Sequence, residues 1–290
     1  MGWRTVIVDN RCKLAYKNGY LLLKKEEDTL IHISEIDVLV VATTQVTFTC
    51  VAISELIKNK VKIIFCDEKH NPLAEVCSQY ASYNTSKKIV NQINWGNGIK
   101  ANIFAEIIRQ KIKNQAKVLF SHSKEEDSKK LYEFSSQVEY GDVTNREGHS
   151  AKVYFNSLFG QGFSRGVPNP INSALDYGYA IILSYINREI VASGYVTQLG
   201  IKHCNEFNQF NLSCDFIEPF RPFVDDFVAT NLPQGILTKE YKYQLIGLLS
   251  HKVRFQNKET YLSSAISESV KSTLVCLDEN TIGKIKLFEL

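Results

Sequence analysis

Residues 199–226 read LGIKHCNEFNQFNLSCDFIEPFRPFVDD, a stretch in which ionisable side chains stand among phenylalanines and leucines. Such groups are seldom found in so apolar a segment unless they are paired or bind a metal ion. In one straight helix, His203 and Glu218 would lie roughly 22 Å apart along the axis. That separation would prevent them from sharing a metal ion, so the local backbone decides whether this stretch can form a site.

Several residues of this stretch argue against a single helix. Three asparagines follow His203, and asparagine favours turns and helix caps over helix interiors. Pro219 disfavours helical backbone at the residue before it, and it lacks an N–H donor. We therefore predict a loop, a short helix that Asn211 or Ser213 caps, a break at Glu218 and a second helix from about residue 222. This path can bring His203 back beside Glu218.

A second stretch, residues 145–160, carries apolar side chains at helical spacing. Glu147 lies about one turn before Ala151, on the side that these apolar residues would bury. The start of this helix therefore directs a carboxylate towards the core. From the residues alone two interpretations stay open, namely a capping or salt-bridged glutamate and a functional carboxylate.

Four short motifs in this order resemble the Cas-one family, the integrases of CRISPR adaptation. They are EGxxAxxYF from Glu147, PINSALDYGYA at 170–180, LGIKH at 199–203 and DFIEPFRP at 215–222. The glutamate before PFRP and the NEFNQFNL after His203 resemble the type II-A branch of the family. The resemblance is dense over residues 140–230 and weaker elsewhere.

The resemblance implies a metal-dependent DNA integrase and endonuclease of spacer acquisition. Glu147, His203 and Glu218 would be both the catalytic residues and the metal ligands, and two carboxylates with one imidazole suit Mg²⁺ or Mn²⁺. The 3′-hydroxyl of captured DNA would attack a phosphodiester of the CRISPR repeat by transesterification. His203 could instead act as a general base. We expect Asp215 either to orient His203 or to be a helix-start carboxylate, and Arg221 to neutralise a carboxylate or contact phosphate.

The resemblance also implies partners. These are double-stranded DNA (protospacer and CRISPR repeat), a second copy of the chain in a homodimer formed through β-rich domains, and a Cas-two homologue in a heterohexamer. A type II-A system would add Cas-nine and a ring-shaped DNA-end-binding accessory protein. Two alternatives stay open: a DNA-end-binding structural scaffold with a vestigial metal site, and a general metal-dependent DNA nuclease.

The composition sets wider bounds. The chain has 290 residues and a net charge of +3, which does not by itself indicate nucleic-acid binding. Residues 109–117 carry four positive charges and no acid, which favours a solvated helix face over phosphate contact. The seven cysteines form no CxxC pair, so we expect reduced thiols in a cytoplasmic protein, with Cys204 as a packing residue rather than a nucleophile or zinc ligand. The resemblance implies that the protein is prokaryotic. No apolar run reaches 18 residues and no signal peptide is evident, so we expect no membrane association.

The periodicity predicts an α+β fold, with a small N-terminal β-rich, β-sandwich-like domain followed by a larger all-α domain. The resemblance implies that this all-α domain is the catalytic domain. The boundaries are 1–76 for the β-rich dimerisation domain, 77–95 for a linker and 96–290 for the catalytic domain. Asn18-Gly19 indicates a hairpin turn, and isoleucines from residue 99 onward indicate a long amphipathic helix. We expect a charged connection at 121–130, a Gly-rich loop at 160–169, helix to about Ser269 and an ordered or partly ordered tail at 270–290.

Overall fold

The computed structural model describes residues 2–76 and 83–290. The N-terminal part forms two four-stranded sheets, with strand orders β1-β5-β7-β8 and β4-β3-β2-β6. Its elements are β1 (Arg4–Val8), β2 (Cys12–Lys17), β3 (Tyr20–Lys24), β4 (Thr29–His32), β5 (Ile36–Val41), β6 (Val46–Phe48), α1 (Cys50–Lys58), β7 (Lys62–Cys66) and β8 (Pro72–Val76). The β-rich N-terminal region predicted from the sequence is confirmed.

The turn between β2 and β3 has the backbone that the sequence predicts. Asn18 and Gly19 have φ values of 46° and 86°, the left-handed region that two-residue hairpins need at both central positions. The flanking strands pair antiparallel, with Lys17 opposite Tyr20. The Asn-Gly pair therefore sets the register of the second sheet.

Strand β5 is buried along its whole length. Leu39 and Val41 belong to the core that the two sheets share, whereas Val38 and Val40 belong to the core of the helical part. Successive side chains of a strand point to opposite faces, so a continuous apolar run is what a strand covered on both faces requires. The sheet β1-β5-β7-β8 thus lies between the second sheet and the helices.

The rest of the described chain is mainly helical. Its elements are α2 (Thr85–Ile93), α3 (Asn97–Ser121), α4 (Glu125–Ser136), α5 (Arg146–Phe159), α6 (Pro170–Ala192), α7 (Asn211–Phe216), α8 (Arg221–Thr230), α9 (Lys239–Gly247), β9 (Lys252–Phe255), β10 (Lys258–Tyr261) and α10 (Leu262–Asp278). Helix α3 is the predicted amphipathic helix, and Ile103, Ile107, Ile108 and Ile112 are buried on it. It packs against α4, α5, α8 and α10. Across the two described ranges, no helix has both the length and the apolarity that crossing a bilayer requires.

The predicted linker differs from the structure where the structure describes it. Residues 77–82 lie outside the described residues, but 85–93 form helix α2. Gln92 is buried on this helix, and its amide donates to the carbonyls of Val196 (2.9 Å) and Leu199 (3.0 Å). Lys88 of the same helix donates to the Ser193 carbonyl at 2.7 Å. Polar contacts with distant residues therefore anchor α2, and sequence periodicity does not reveal such contacts. The charged connection expected at 121–130 is likewise shorter, because α4 begins at Glu125.

The helical part also contains two strands, which corrects the expectation of an all-α domain. Strands β9 and β10 form an antiparallel hairpin within the region predicted to be helix up to residue 269. Gln256 and Asn257 turn the chain with φ values of 50° and 61°. Helix α10 then runs to Asp278, so residues 270–278 are helical and not part of a tail. The segment after it is largely exposed, but Phe288 is buried and attaches it to the core.

Candidate metal centre

The loop that carries His203 is organised by one buried carboxylate. Asp215 on α7 is fully buried and accepts hydrogen bonds from the backbone N–H groups of Ile201 (2.7 Å), Lys202 (3.2 Å) and His203 (3.1 Å). A Cβ atom at Gly200 would come within 2.3 Å of the His203 carbonyl oxygen and 2.8 Å of Asp215 Oδ2, so only glycine fits there. The LGIKH motif therefore wraps its backbone around Asp215.

The same carboxylate orients the imidazole. Asp215 Oδ1 lies 2.7 Å from His203 Nδ1, which leaves Nε2 directed away from this pair. This hydrogen bond raises the pKa of His203 although burial lowers it, and the charges of Glu218 and Glu147 raise it further. The expected contact between Asp215 and His203 is confirmed, and His203 lies within electrostatic range of both glutamates.

Glu147 is held at the first turn of α5. Asn145 begins the helix from a left-handed backbone and accepts from Gly148 N–H (3.2 Å). The buried Asp142 accepts from the N–H groups of Arg146 (2.8 Å) and Glu147 (3.0 Å). The amide of Asn145 and the carboxylate of Asp142 therefore both cap the start of α5. The Glu147 side chain is partly buried, and its Oε1 accepts from Lys111 Nζ at 2.7 Å.

Glu218 lies at a break between two helices, as predicted. Residues 218–220 form a single 3-10 turn between α7 and α8, with Glu218 and Pro219 buried. Asn114 of α3 donates to the Pro219 carbonyl at 2.8 Å, which holds this turn against the central helix. The guanidinium of Arg221 donates to Glu218 Oε1 at 2.8 Å, so the expectation that Arg221 neutralises a carboxylate is confirmed.

Lys111 joins the two glutamates. Its Nζ lies 2.7 Å from Glu147 Oε1 and 2.5 Å from Glu218 Oε2, and its side chain is one-tenth exposed. Burial would raise the pKa of Glu218, but the charges of Arg221 and Lys111 lower it to about 2. Burial would lower the pKa of Lys111, but Glu218 and Glu147 raise it. Lys111 and Glu218 are therefore both charged at neutral pH.

The side-chain types of this cluster, two carboxylates and one imidazole, are ones that a divalent cation takes as ligands. Both glutamates already share one cationic group, and Glu218 Oε2 is buried without an aligned hydrogen bond. His203 has the fixed tautomer that a metal-ligating histidine needs. Within residues 2–76 and 83–290, however, no three His, Cys, Asp or Glu side chains stand close enough to hold a metal as they are placed. The structure thus brings Glu147 and Glu218 together on Lys111, with His203 nearby but outside a compact triad.

Lys111 is the residue that sequence reasoning missed. It lies in the basic run 109–117, for which the sequence favoured a solvated helix face, and for Lys111 this was wrong. Lys113 of the same run is exposed, whereas Lys111 is buried between two carboxylates. The only available signal was its spacing, because Lys111 follows Ile107 and Ile108 at positions that share their face of the helix.

Two further acids have structural contacts. Asp225 is buried and accepts from the hydroxyl of Tyr179, while Asp226 lies 2.9 Å from His122 Nε2. Both acids therefore have partners within the fold. In the Gly-rich loop, Arg165 donates to Asn172 and to Asp176 (2.5 Å), so this loop is fastened to α6.

The comparisons with known proteins agree with this architecture. The family model described as CRISPR associated protein Cas1 matches residues 5–254. The CRISPR-associated endonuclease Cas1 of Neisseria meningitidis serogroup C (strain 8013) is 32% identical over 299 residues, with 100% of this chain and 97% of that protein covered. A CRISPR-associated endonuclease Cas1 of Francisella tularensis subsp. novicida (strain U112) is 26% identical, over 79% of this chain and 78% of that protein.

Solved structures share the fold at lower identity. A casposase bound to integration product superposes with a TM-score of 0.76 at 17% identity, covering 98% of this chain and 92% of that one. A Cas1 protein from Thermotoga maritima gives a TM-score of 0.73 at 17% identity, covering 99% and 100%. A Cas6-RT-Cas1–Cas2 complex gives 0.72 at 19%, covering 99% of this chain and 36% of that one. Since the family model spans most of the chain and the meningococcal relative aligns along all of it, this protein belongs to the Cas1 family of CRISPR-associated proteins.

Proposed function

We propose that this protein is a metal-dependent DNA integrase and endonuclease of CRISPR adaptation, of the type II-A branch. It would join the 3′-hydroxyl ends of captured DNA to the CRISPR repeat by phosphodiester transesterification. The observation that supports this most is the meeting of Glu147 and Glu218 on one cationic group, beside a histidine oriented by a buried carboxylate. Two relatives carry the word endonuclease in their names, and one neighbour in fold is a casposase bound to integration product.

The donor set supports Mg²⁺ or Mn²⁺ as the cofactor, held by Glu147, Glu218 and His203. When bound, such an ion lowers the pKa of an attacking hydroxyl and stabilises charge on the phosphate oxygens. Asp215 keeps the proton of the imidazole on Nδ1, so that Nε2 stays free to act as a ligand. Arg221 balances the charge of Glu218, since it already pairs with Oε1.

The test is strand transfer. Purified protein is mixed with short duplexes that bear free 3′-hydroxyls and a supercoiled plasmid that carries a repeat, with Mn²⁺ or with chelator. We expect Glu147→Ala, His203→Ala and Glu218→Ala each to reduce joining by at least about a thousandfold, because each removes a donor from the reacting centre. Glu133→Ala, an exposed glutamate of α4, serves as the matched control and should keep full activity.

Full joining in all three variants would contradict the assignment of the site. Circular dichroism and thermal melting of each variant separate loss of function from loss of fold. Equal joining on plasmids with and without the repeat would instead favour a general metal-dependent nuclease.

A second candidate function is a DNA-end-binding scaffold with a vestigial metal site. Lys111 favours it, because an ammonium group stands between the two carboxylates. A scaffold would bind duplex ends equally well with chelator and would join no DNA with any divalent metal, with or without a Cas2 homologue. Metal-dependent joining by the wild-type protein excludes this candidate.

We further propose a homodimer formed through the β-rich part, and a heterohexamer with a Cas2 homologue. Trp3 and Leu30 of the β-rich part are half exposed, which supports an apolar contact there. A neighbour in fold was solved as a complex with Cas2. Cas9 and the ring-shaped accessory protein would join in the same system. Light scattering of the protein alone and with the Cas2 homologue measures these states, and a monomer in both samples would contradict them.

A further inference from the structure

We propose that Lys111 is a resident counter-cation that a divalent metal must displace, so that this lysine weakens metal binding while it holds the empty carboxylate pair together. The inference rests on the proposed metal site and adds a regulatory residue to it. It assigns Lys111 a positioning role, because the lysine acts through Glu147 and Glu218.

The first observation is the geometry of the contacts. The ammonium of Lys111 lies within 2.7 Å of an oxygen of each glutamate, and it is the only cation that contacts both of them within the described ranges. Arg221 contacts Glu218 alone, through the other oxygen of that carboxylate. A divalent ion bound to the same oxygens would lie about 2.0–2.2 Å from them. The ion and the ammonium would therefore occupy the same space.

The second observation concerns charge and burial. Lys111 is 8% exposed and Glu218 is 3% exposed. Two carboxylates this close repel each other strongly when little water screens them, and a buried charge that loses its partner is costly. Lys111 supplies the positive charge that lets both glutamates stay ionised and adjacent without a metal. The same charge then opposes the arrival of a second cation.

The third observation shows which part can move. Asn114, one turn along α3, donates to the carbonyls of Pro219 (2.8 Å) and Phe288 (2.9 Å), and it is fully buried. The backbone of α3 near Lys111 is thereby fixed to the turn that carries Glu218. Displacement must then occur in the flexible four-carbon side chain of Lys111, and the helix stays in place.

The experiment compares Mn²⁺ binding to wild type, Lys111→Met and Lys113→Met by electron paramagnetic resonance, on the full chain without DNA. Methionine is one atom shorter than lysine and keeps an unbranched apolar side chain, but it removes the charge. We expect Lys111→Met to bind Mn²⁺ at least about tenfold more tightly, because the competing cation is absent. Lys113→Met, at an exposed position two residues away, should bind as wild type does.

A second readout is thermal stability. Without metal, Lys111→Met should have a lower melting temperature than wild type. Saturating Mn²⁺ should raise the melting temperature of Lys111→Met by more than it raises that of wild type. Lys111→Gln is measured in parallel, so that the result does not depend on one variant folding. Equal or weaker Mn²⁺ affinity in both Lys111 variants would overturn the inference while the proposed function stands. Absence of Mn²⁺ binding in all proteins would overturn both.

Discussion

At the scale of single residues, Asp215 is the side chain on which the loop of His203 depends. It accepts three backbone N–H groups and orients His203, all from a fully buried position. Hydrogen bonds to a buried charged acceptor are worth about 1.5–3 kcal/mol each, so the loop depends on this carboxylate. Substitution of Asp215 by itself should therefore disturb the conformation of this loop.

Asp215→Asn should therefore lower the pKa of His203 and loosen its loop. The pKa is raised in the wild type first by the hydrogen bond to this carboxylate, and a neutral amide cannot provide the same stabilisation of the imidazolium. NMR titration of the imidazole measures the shift directly. Asp226→Asn removes the carboxylate beside His122 instead and should leave His203 unchanged. An unaltered His203 titration in Asp215→Asn would show that the contact is not formed in solution.

Asp225 should make stability depend on pH. Burial raises its pKa to about 7, against the lowering effect of the hydrogen bond from Tyr179, whereas the unfolded chain ionises near 3.8. Between these values the folded protein retains a proton that the unfolded chain has released. The contribution of Asp225 to stability is thus full below about pH 4 and is lost as the pH rises through about 7.

Asp225→Asn removes this dependence while it keeps an acceptor for the Tyr179 hydroxyl. Relative to the variant, the free energy of unfolding of wild type should fall as the pH rises from about 4 to about 7, with a slope approaching about 1.4 kcal/mol per pH unit. Urea unfolding of both proteins at unit pH steps measures the difference. Parallel stability curves across this window would contradict the assignment.

At the scale of elements, the 3-10 turn of Glu218 depends on the last residues of the chain. Phe288 is 1% exposed and stacks on Phe220 with ring centroids 5.0 Å apart. Asn114 donates to the Phe288 carbonyl and accepts from Leu290 N–H at 3.1 Å. The final segment and the turn therefore pack together on α3. Through Phe288 and Asn114, the segment helps to hold the turn that carries Glu218.

Phe288→Ala should destabilise the fold by about 3–5 kcal/mol, the usual cost of truncating a buried phenylalanine. Phe120→Ala is the matched control, since Phe120 is 63% exposed at the end of α3, and its change should stay within about 0.5 kcal/mol. Urea denaturation of the two variants provides both values. Equal stability would mean that the final segment does not pack in solution as it does here.

At the scale of the whole molecule, the β-rich and helical parts share a core. Val38, Val40 and Ile64 of the sheets belong to the apolar cluster of the helical part. Polar contacts cross the same boundary, with Tyr185 donating to Asp37 Oδ2 at 2.8 Å and Arg188 contacting Asp37 Oδ1 at 3.1 Å. The two parts are therefore joined by apolar packing and by these polar contacts.

The sequence alone predicted what local physical chemistry controls. A proline after Glu218 breaks the helix, Asn18-Gly19 makes a hairpin turn, and the isoleucine period makes α3, because each signal acts within a few residues. Glu147, His203 and Glu218 were predicted as site residues from motifs that resemble those of the Cas1 family, and the structure places the two glutamates on one cation.

Only the tertiary structure decided which residues complete that site. Lys111 and Lys113 look alike in a basic run, and only the packing of α5 and the Glu218 turn on α3 buries one and exposes the other. The anchoring of α2 by Gln92 and the burial of Phe288 have the same origin. These contacts join residues far apart in the chain, and local spacing carries no information about which distant surface a side chain will meet.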